Sequence, residues 1–117
     1  MKFIHEISSK PSFSQKGFDG YNFPIGNKEI EIDFIDAKQG HDTYLISKKC
    51  THIYYILEGE GVFDIAEEKY AVEAGMLVEI PLNIEFSYTG KMKLLLIMNP
   101  PFFEGNGEIT KMNLNVK

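Results

Sequence analysis

Three side chains in this 117-residue chain have types suited to proton transfer: His52, Tyr54 and Tyr88. A histidine has an ordinary pKa near neutral pH, and a tyrosine hydroxyl can act as its acid partner. His52 and Tyr54 are two positions apart in the stretch THIYYIL, so on a strand they would share one face. The sequence therefore predicts these three residues as candidates for ligand binding and catalysis, and it leaves open whether any reaction occurs.

The other potential metal or proton ligands have less support from their surroundings. Cys50 and His52 form a Cys-x-His pair, but two donors without a third make a poor metal site, so we interpret Cys50 as a turn residue. His5 has no motif around it. His41 directly follows Gly40 and is expected to be exposed.

Composition excludes several classes of function. The net charge is −5, and every one of the 12 basic residues is a lysine, so a basic surface for nucleic acid is absent. Apolar runs reach only five residues and the first ten residues contain no apolar signal core, which predicts neither a membrane span nor secretion. With a single cysteine, no internal disulfide can form, and we expect a cytoplasmic protein.

The elements that must position these residues are short strands. Residues 29–36, EIEIDFID, alternate charged and apolar side chains, as a strand with one wet face does. Strand-like runs separated by glycine, proline and asparagine signals predict an all-β single domain, a sandwich or barrel. The predicted strands are residues 2–7, 29–37, 43–47, 51–57, 61–66, 70–72, 77–80, 84–88, 92–98 and 109–113. Pro100 and Pro101 must end the strand at 92–98.

The first 28 residues are predicted to form an N-terminal arm or edge strand, and residues 29–117 a barrel. Glycine and proline interrupt any helix in this arm. Its aromatic side chains are expected to pack on the barrel or on a second subunit: Phe13, Phe18, Tyr21 and Phe23.

From residue 40 to residue 101 the chain resembles the cupin family. The first cupin motif is G-x5-H-x-H-x3,4-E-x6-G, and its positions are taken here by Gly40, Ile46, Lys48, His52 and Gly59. The second is G-x5-P-x-G-x2-H-x3-N, and its positions are taken by Gly75, Pro81, Asn83, Phe86 and Gly90. The resemblance implies a cupin-type double-stranded β-helix, or jelly-roll barrel. We interpret Gly59 and Gly61 as flanking a tight turn within it.

The resemblance also implies where a metal would be held, and this chain departs from the pattern there. The four ligand positions of metal-binding cupins are Ile46, Lys48, His52 and Phe86 here. Isoleucine and phenylalanine have no donor atom, and a protonated lysine repels a cation. We therefore predict no metal and no other cofactor at this site.

By the same resemblance, the position of His52 faces the barrel interior. Alternation then turns Tyr54 and Ile56 inward, and Phe86 and Tyr88 likewise. The predicted cavity is mostly apolar, with ligand-binding candidates His52, Tyr54, Phe86, Tyr88 and Lys48.

Three functions follow as alternatives. The first is a metal-free cupin that binds an unidentified small molecule in its barrel. The second is a metal-independent sugar isomerase or epimerase that uses His52 and a tyrosine. The third is a metal-dependent oxygenase with unusual ligands. The outward residues of THIYYIL are apolar, so we also predict a homodimer that covers Ile53, Tyr55 and Leu57.

Overall fold

The computed structural model describes residues 2–117, so that Met1 lies outside the described residues. Within that range the chain forms nine β-strands and no helix, which confirms the predicted all-β class. No segment of residues 2–117 is a helix of the length and apolarity needed to cross a membrane. The strands are β1 Phe13–Gln15, β2 Phe18–Asn22, β3 Glu31–Ala37, β4 Thr43–Ser47, β5 Thr51–Ile65, β6 Glu68–Glu73, β7 Leu77–Ile80, β8 Glu85–Asn99 and β9 Gly107–Met112.

All strand pairs are antiparallel, and two long strands connect the two sides of the barrel. One side has the order β1-β2-β3-β8-β4-β9, and on the other β5 pairs with β6, β7 and β8. Strands β5 and β8 have 15 residues each and pair along nearly their whole length. Because β8 pairs with β3 and β4 on one side and with β5 on the other, the sheet curls around a single core.

The alternation predicted for β5 is confirmed. His52, Tyr54 and Ile56 are buried, whereas Tyr55 and Leu57 are exposed. Burying an aliphatic side chain such as Ile56 stabilises the fold by about 1.5–3 kcal/mol. Phe86 and Tyr88, the other residues predicted to point inward, also belong to the core, together with Val78, Ile80, Leu94 and Leu96.

Two predicted turns are wrong, because the chain continues as strand through both of them. The runs 51–57 and 61–66 are one strand, β5, with a bulge between Ile56 and Glu58. The runs 84–88 and 92–98 are likewise one strand, β8. The glycines there allow β5 and β8 to approach closely rather than to reverse: a Cβ at Gly90 would lie 2.7 Å from the carbonyl oxygen of Glu60.

Residues 13–22 of the N-terminal segment join the edge of the sheet. Strands β1 and β2 form a hairpin, and β2 pairs with β3 from Phe18–Ala37 to Asn22–Asp33. The strand predicted over 2–7 is absent, and those residues are irregular. The hairpin brings Phe13 and Phe18 to one end of the barrel, where their rings meet edge to face at 6.2 Å.

Candidate functional site

A cavity of about 490 Å³ opens at this end of the barrel. Its wall is built from the inner faces of β3, β5 and β8, and its rim from the β1–β2 hairpin and the connection between β8 and β9. Most of the lining is apolar, as is usual for small-molecule sites. Its polar side chains therefore decide what the site can do.

Four of these side chains form a continuous row of rings, which we call the aromatic row: His41, Tyr88, Tyr54 and His52. The centroids of His41 and Tyr88 are 5.8 Å apart, those of Tyr88 and Tyr54 5.5 Å, and those of Tyr54 and His52 6.2 Å. All four residues line the cavity. The row brings together two potential bases and two hydroxyl groups.

A backbone carbonyl, which can only accept a hydrogen bond, favours the same tautomer in both histidines. Nδ1 of His41 donates to the carbonyl oxygen of Thr43 at 2.9 Å, and Nδ1 of His52 donates to that of Cys50 at 3.2 Å. A neutral imidazole that donates from Nδ1 has its lone pair on Nε2. Neither Nε2 atom has a hydrogen-bond partner within residues 2–117, so both can accept a proton from a ligand.

Burial shifts the pKa values of all four side chains of the aromatic row in the direction that keeps these side chains uncharged. It lowers the pKa of His41 and of His52, because the positive imidazolium is poorly solvated there. It raises the pKa of the Tyr54 and Tyr88 hydroxyls for the corresponding reason. At neutral pH the row therefore holds two neutral bases and two protonated hydroxyls.

Two carboxyl groups lie on the cavity wall beside this row. Glu31 and Asp33 are two positions apart on β3, so both point to the inner face. Asn22 donates to Oδ1 of Asp33 at 2.9 Å, whereas Oδ2 is buried without a partner. Burial, followed by a hydrogen bond with Glu31, raises the pKa of Asp33 to about 7.

Some of the site residues predicted from the sequence line the cavity, and others do not. His52, Tyr54 and Tyr88 line the cavity. Phe86 is fully buried in the core, where its ring packs 5.5 Å from that of His52, and it does not form part of the lining.

Lys48 corrects one expectation. It follows the last residue of β4, and its exposed ammonium group pairs with Glu108 at 3.3 Å on the surface. Because the chain turns outward after Ser47, Lys48 does not line the cavity.

His41 is the residue that sequence reasoning missed. We expected it to be exposed, but it is partly buried and lines the cavity. Its backbone is held by β8 and by the residues after β9. Its N–H donates to the carbonyl of Tyr88 at 2.9 Å, and the side chains of Ser87 and Asn113 donate to its carbonyl, each at 3.0 Å. The available signal was the motif glycine before it, since Gly40 bridges to Thr89 and thereby sets His41 beside Tyr88.

The usual cupin metal positions do not fit a metal ion. Ile46 and Phe86 offer no donor, Lys48 is paired on the surface, and His52 alone remains. Among residues 2–117, no three histidine, cysteine, aspartate or glutamate side chains are grouped so that they could hold an ion. We therefore derive no chemistry through a metal.

Neither a protein-family profile nor a curated protein sequence matches this chain. Solved structures, in contrast, are similar to this chain. The structure of Pac13, described as a unique nucleoside dehydratase, is 21% identical, covers 98% of this chain and 96% of its own, and has a TM-score of 0.89. Ectoine synthase from P. lautus is 18% identical over 87% of this chain and 82% of its own, with a TM-score of 0.69. The chain thus has the cupin fold, as the resemblance implied.

Three variants of Streptomyces PAC13 with uridine are also similar to this chain. Each is 20% identical, covers 98% of this chain and 95% or 96% of its own, and has a TM-score of 0.89. Two replace a tyrosine by phenylalanine and one replaces a histidine by glutamine. The replaced positions are numbered one higher than Tyr88, Tyr54 and His41 of this chain.

Proposed function

We propose that this protein is a metal-independent enzyme that binds a nucleoside-type small molecule in its cavity and removes water from it. The observation behind the proposal is that His41, Tyr88 and Tyr54 combine a base and two hydroxyl donors in one cavity. The positions replaced in the uridine-containing PAC13 variants differ from these three by a constant shift of one. A constant shift between chains that overlap almost completely supports equivalent residues in the two folds.

His41 is the base of the proposed reaction. Elimination of water requires a base for a carbon-bound proton and an acid for the departing hydroxyl. Nε2 of neutral His41 takes a proton from a carbon next to a carbonyl group, where such protons are most acidic. The electron pair of that C–H bond becomes the new double bond, and the neighbouring C–O bond breaks. The departing hydroxide takes a proton from the imidazolium of His41, so that the substrate loses one water molecule in all and His41 returns to its neutral form.

Tyr54 and Tyr88 bind and orient the substrate. Their raised pKa values keep both hydroxyls protonated, so each can donate a hydrogen bond to a substrate oxygen. Within residues 2–117 neither hydroxyl has a hydrogen-bond partner. Neither hydroxyl oxygen is among the polar atoms that are both unpaired and fully buried. Both therefore remain available to a ligand. The apolar wall around them excludes water and strengthens these hydrogen bonds.

The test is to incubate the protein with uridine and with nucleosides oxidised in the sugar to a carbonyl, and to follow the mixture by mass spectrometry. We expect a product lighter by one water with one of the oxidised nucleosides, formed by the wild type and lost in His41→Gln. Binding without any product would reduce the function to small-molecule binding. Failure of every nucleoside to bind would refute the proposal.

A second candidate is a metal-independent isomerase or epimerase based on His52. The observation that favours it is that His52 has the same tautomer as His41 and stacks on Tyr54. Such an enzyme would exchange a carbon-bound hydrogen with solvent deuterium without losing water. Exchange that persists in His52→Ala would exclude His52 as its base.

A metal-dependent oxygenase has no support in the donor set described above. One equivalent of iron, manganese, nickel or zinc in untagged, gently purified protein would reverse that conclusion. Native mass spectrometry reports the metal and any co-purified ligand together.

We also infer a homodimer from the outer face of β5 and its neighbours, and a cytoplasmic location from the single cysteine. Tyr55, Leu57 and Leu77 are 38%, 42% and 61% exposed, which leaves adjacent apolar side chains in water. A second subunit that covered these side chains would remove their apolar surface from water. A monomeric mass in light scattering at micromolar concentration would refute the dimer.

A further inference from the structure

The carboxyl pair on β3 has no role in the reaction described above. Asp33 is fully buried and lines the cavity, and Glu31 lines it two residues earlier on the same face. Burial of a carboxylate without a partner is costly, so an arrangement of this kind needs a physical reason. The pair is close to the His52 end of the aromatic row, since its charges act on Tyr54 and His52.

The hydrogen bonds of the two carboxyls leave one place for a proton. Glu31 accepts from the N–H of Phe102 through Oε1 at 3.1 Å, and Asp33 accepts from Asn22 through Oδ1 at 2.9 Å. Oδ2 of Asp33 has no donor within residues 2–117 when both groups are ionised. A proton on Asp33 removes this deficit, because the protonated carboxyl can then donate to Glu31.

The groups that face Asp33 give its ionised form no cationic partner. Asn22 on β2 is neutral, Leu96 opposite it on β8 is apolar, and His52 on β5 is neutral at pH 7 because burial lowers its pKa. The remaining neighbours are Tyr54, which is protonated, and Glu31, which is a like charge. Two carboxyls in this situation share one proton.

We propose that Glu31 and Asp33 share one proton and form a hydrogen-bond-donating subsite, in which the carboxyl O–H of Asp33 turns from Glu31 to an oxygen of the bound substrate. This inference rests on the proposed function for the identity of the substrate, an oxygen-rich nucleoside. His41 then supplies the base at one end of the aromatic row, and the carboxyl pair orients the substrate at the His52 end. Asp33 is thus a specificity-determining residue.

The pair itself can be tested without any ligand. Carbon-13 NMR of the side-chain carboxyls, recorded against pH, reports the protonation of Asp33 directly. We expect a transition near pH 7 that shifts to lower pH in Glu31→Gln, because the like charge is removed. A transition of Asp33 at the ordinary value of about 4 would overturn the proposal, whatever the protein binds.

Its role in recognition is tested with uridine as the probe, by calorimetry between pH 6 and pH 8.5. Binding to the wild type should weaken by up to about tenfold for each pH unit above 7, because the donor is lost. Asp33→Asn has an amide donor at every pH, so it should bind uridine with little pH dependence. Asp33→Leu has no donor and should bind about tenfold more weakly at pH 6.

A matched control separates this effect from a general change in charge. Asp36 lies on the same strand, but it points outward and pairs with Lys38. Asp36→Asn should keep the pH dependence of the wild type. If Asp33→Asn also keeps it, or if Asp33→Leu binds as tightly as the wild type, the recognition role is refuted while the proposed function stands. If the wild type does not bind uridine at all, the proposed function fails, and the NMR titration alone decides whether the proton is shared.

Discussion

The usual cupin metal positions and the aromatic row share strands β5 and β8, yet their side chains have different surroundings. Of the four metal positions, Ile46 is half-buried, Lys48 is paired on the surface, Phe86 is sealed in the core, and only His52 reaches the cavity. The aromatic row draws on His52 as well. Its other members come from β5, β8 and the β3–β4 connection, and all of them line one cavity.

The difference shows which property of a cupin barrel is retained when the metal donors are lost. The inward faces of β5 and β8 still meet in a water-excluding cavity, because strand alternation and pairing do not depend on which inward side chain is present. Groups that titrate there remain uncharged unless they find partners. The cavity is therefore suited to proton transfer and hydrogen bonding. The following predictions test this comparison, from the largest expected effect to the smallest.

Loss of the base should have the largest effect. In His41→Gln we expect turnover of the nucleoside substrate to fall by about 10²- to 10⁴-fold, since general base catalysis contributes that much. Affinity for uridine should change little, because the two tyrosine hydroxyls remain. His52→Gln is the matched control and should retain most of the turnover. If the losses are reversed between the two variants, His52 is the base and the isomerase hypothesis gains support.

The buried carboxyl should make stability depend on pH. The pKa of Asp33 is raised from 3.8 to about 7 in the folded state, so its contribution is fully present below about pH 4 and is lost as the pH rises to about 7. The difference of about three pKa units corresponds to about 4 kcal/mol as an upper value. Urea unfolding of the wild type and of Asp33→Asn at pH 4 and pH 7.5 measures it.

From pH 4 to pH 7.5, the free energy of unfolding of Asp33→Asn should rise relative to that of the wild type, by up to about 4 kcal/mol. Other titrating groups are common to both proteins and cancel in this comparison. If the two proteins differ in free energy of unfolding by the same amount at both pH values, Asp33 is not held protonated by the fold.

Each tyrosine hydroxyl should contribute moderately to binding. Tyr54→Phe and Tyr88→Phe should each weaken uridine binding by about fivefold, which is the loss of one hydrogen bond of about 1 kcal/mol. The matched control is Tyr44→Phe, which removes a hydrogen bond of 2.6 Å to Asp64 outside the cavity. It should lower stability by about 1 kcal/mol and leave binding intact. Equal binding losses in all three variants would point to a general structural effect.

Lys48 should have the smallest effect of all. Its ion pair with Glu108 is exposed, and pairs of that kind contribute about 0–1 kcal/mol. We expect Lys48→Met to bind uridine within about twofold of the wild type, measured by calorimetry. A tenfold loss would mean that Lys48 reaches the ligand after all, and that the metal positions still belong to the site.

The sequence predicted strands better than it predicted turns. Strand β4 at 43–47 and strand β7 at 77–80 have the bounds expected for them, and the inward set of β5 was correct, because alternation of apolar residues is a local signal. Gly59 was misjudged as flanking a turn, and the runs 84–88 and 92–98 were wrongly separated at Gly90. A glycine that permits a turn and a glycine that permits another strand to approach have the same local sequence signature.

The candidate site was predicted in part for the same reason. His52, Tyr54 and Tyr88 could be assigned to the interior because they share the alternation of β5 and β8. His41 lies on an irregular connection, where no period reveals the direction of a side chain. Its position depends on hydrogen bonds to Tyr88, Ser87 and Asn113, which are at least 46 residues away along the chain.

The sequence by itself determined the all-β class, the cupin motif frame, the loss of the metal donors and the inward face of the long strands. These properties follow from residue types and from a two-residue period, both of which are local. The tertiary structure decided that His41 joins the aromatic row, that Lys48 leaves the cavity, and that the inner face of β3, with Glu31 and Asp33, lies beside the row. Such contacts join strands distant in sequence, and only pairing and burial determine which side chains meet and how far their pKa values shift.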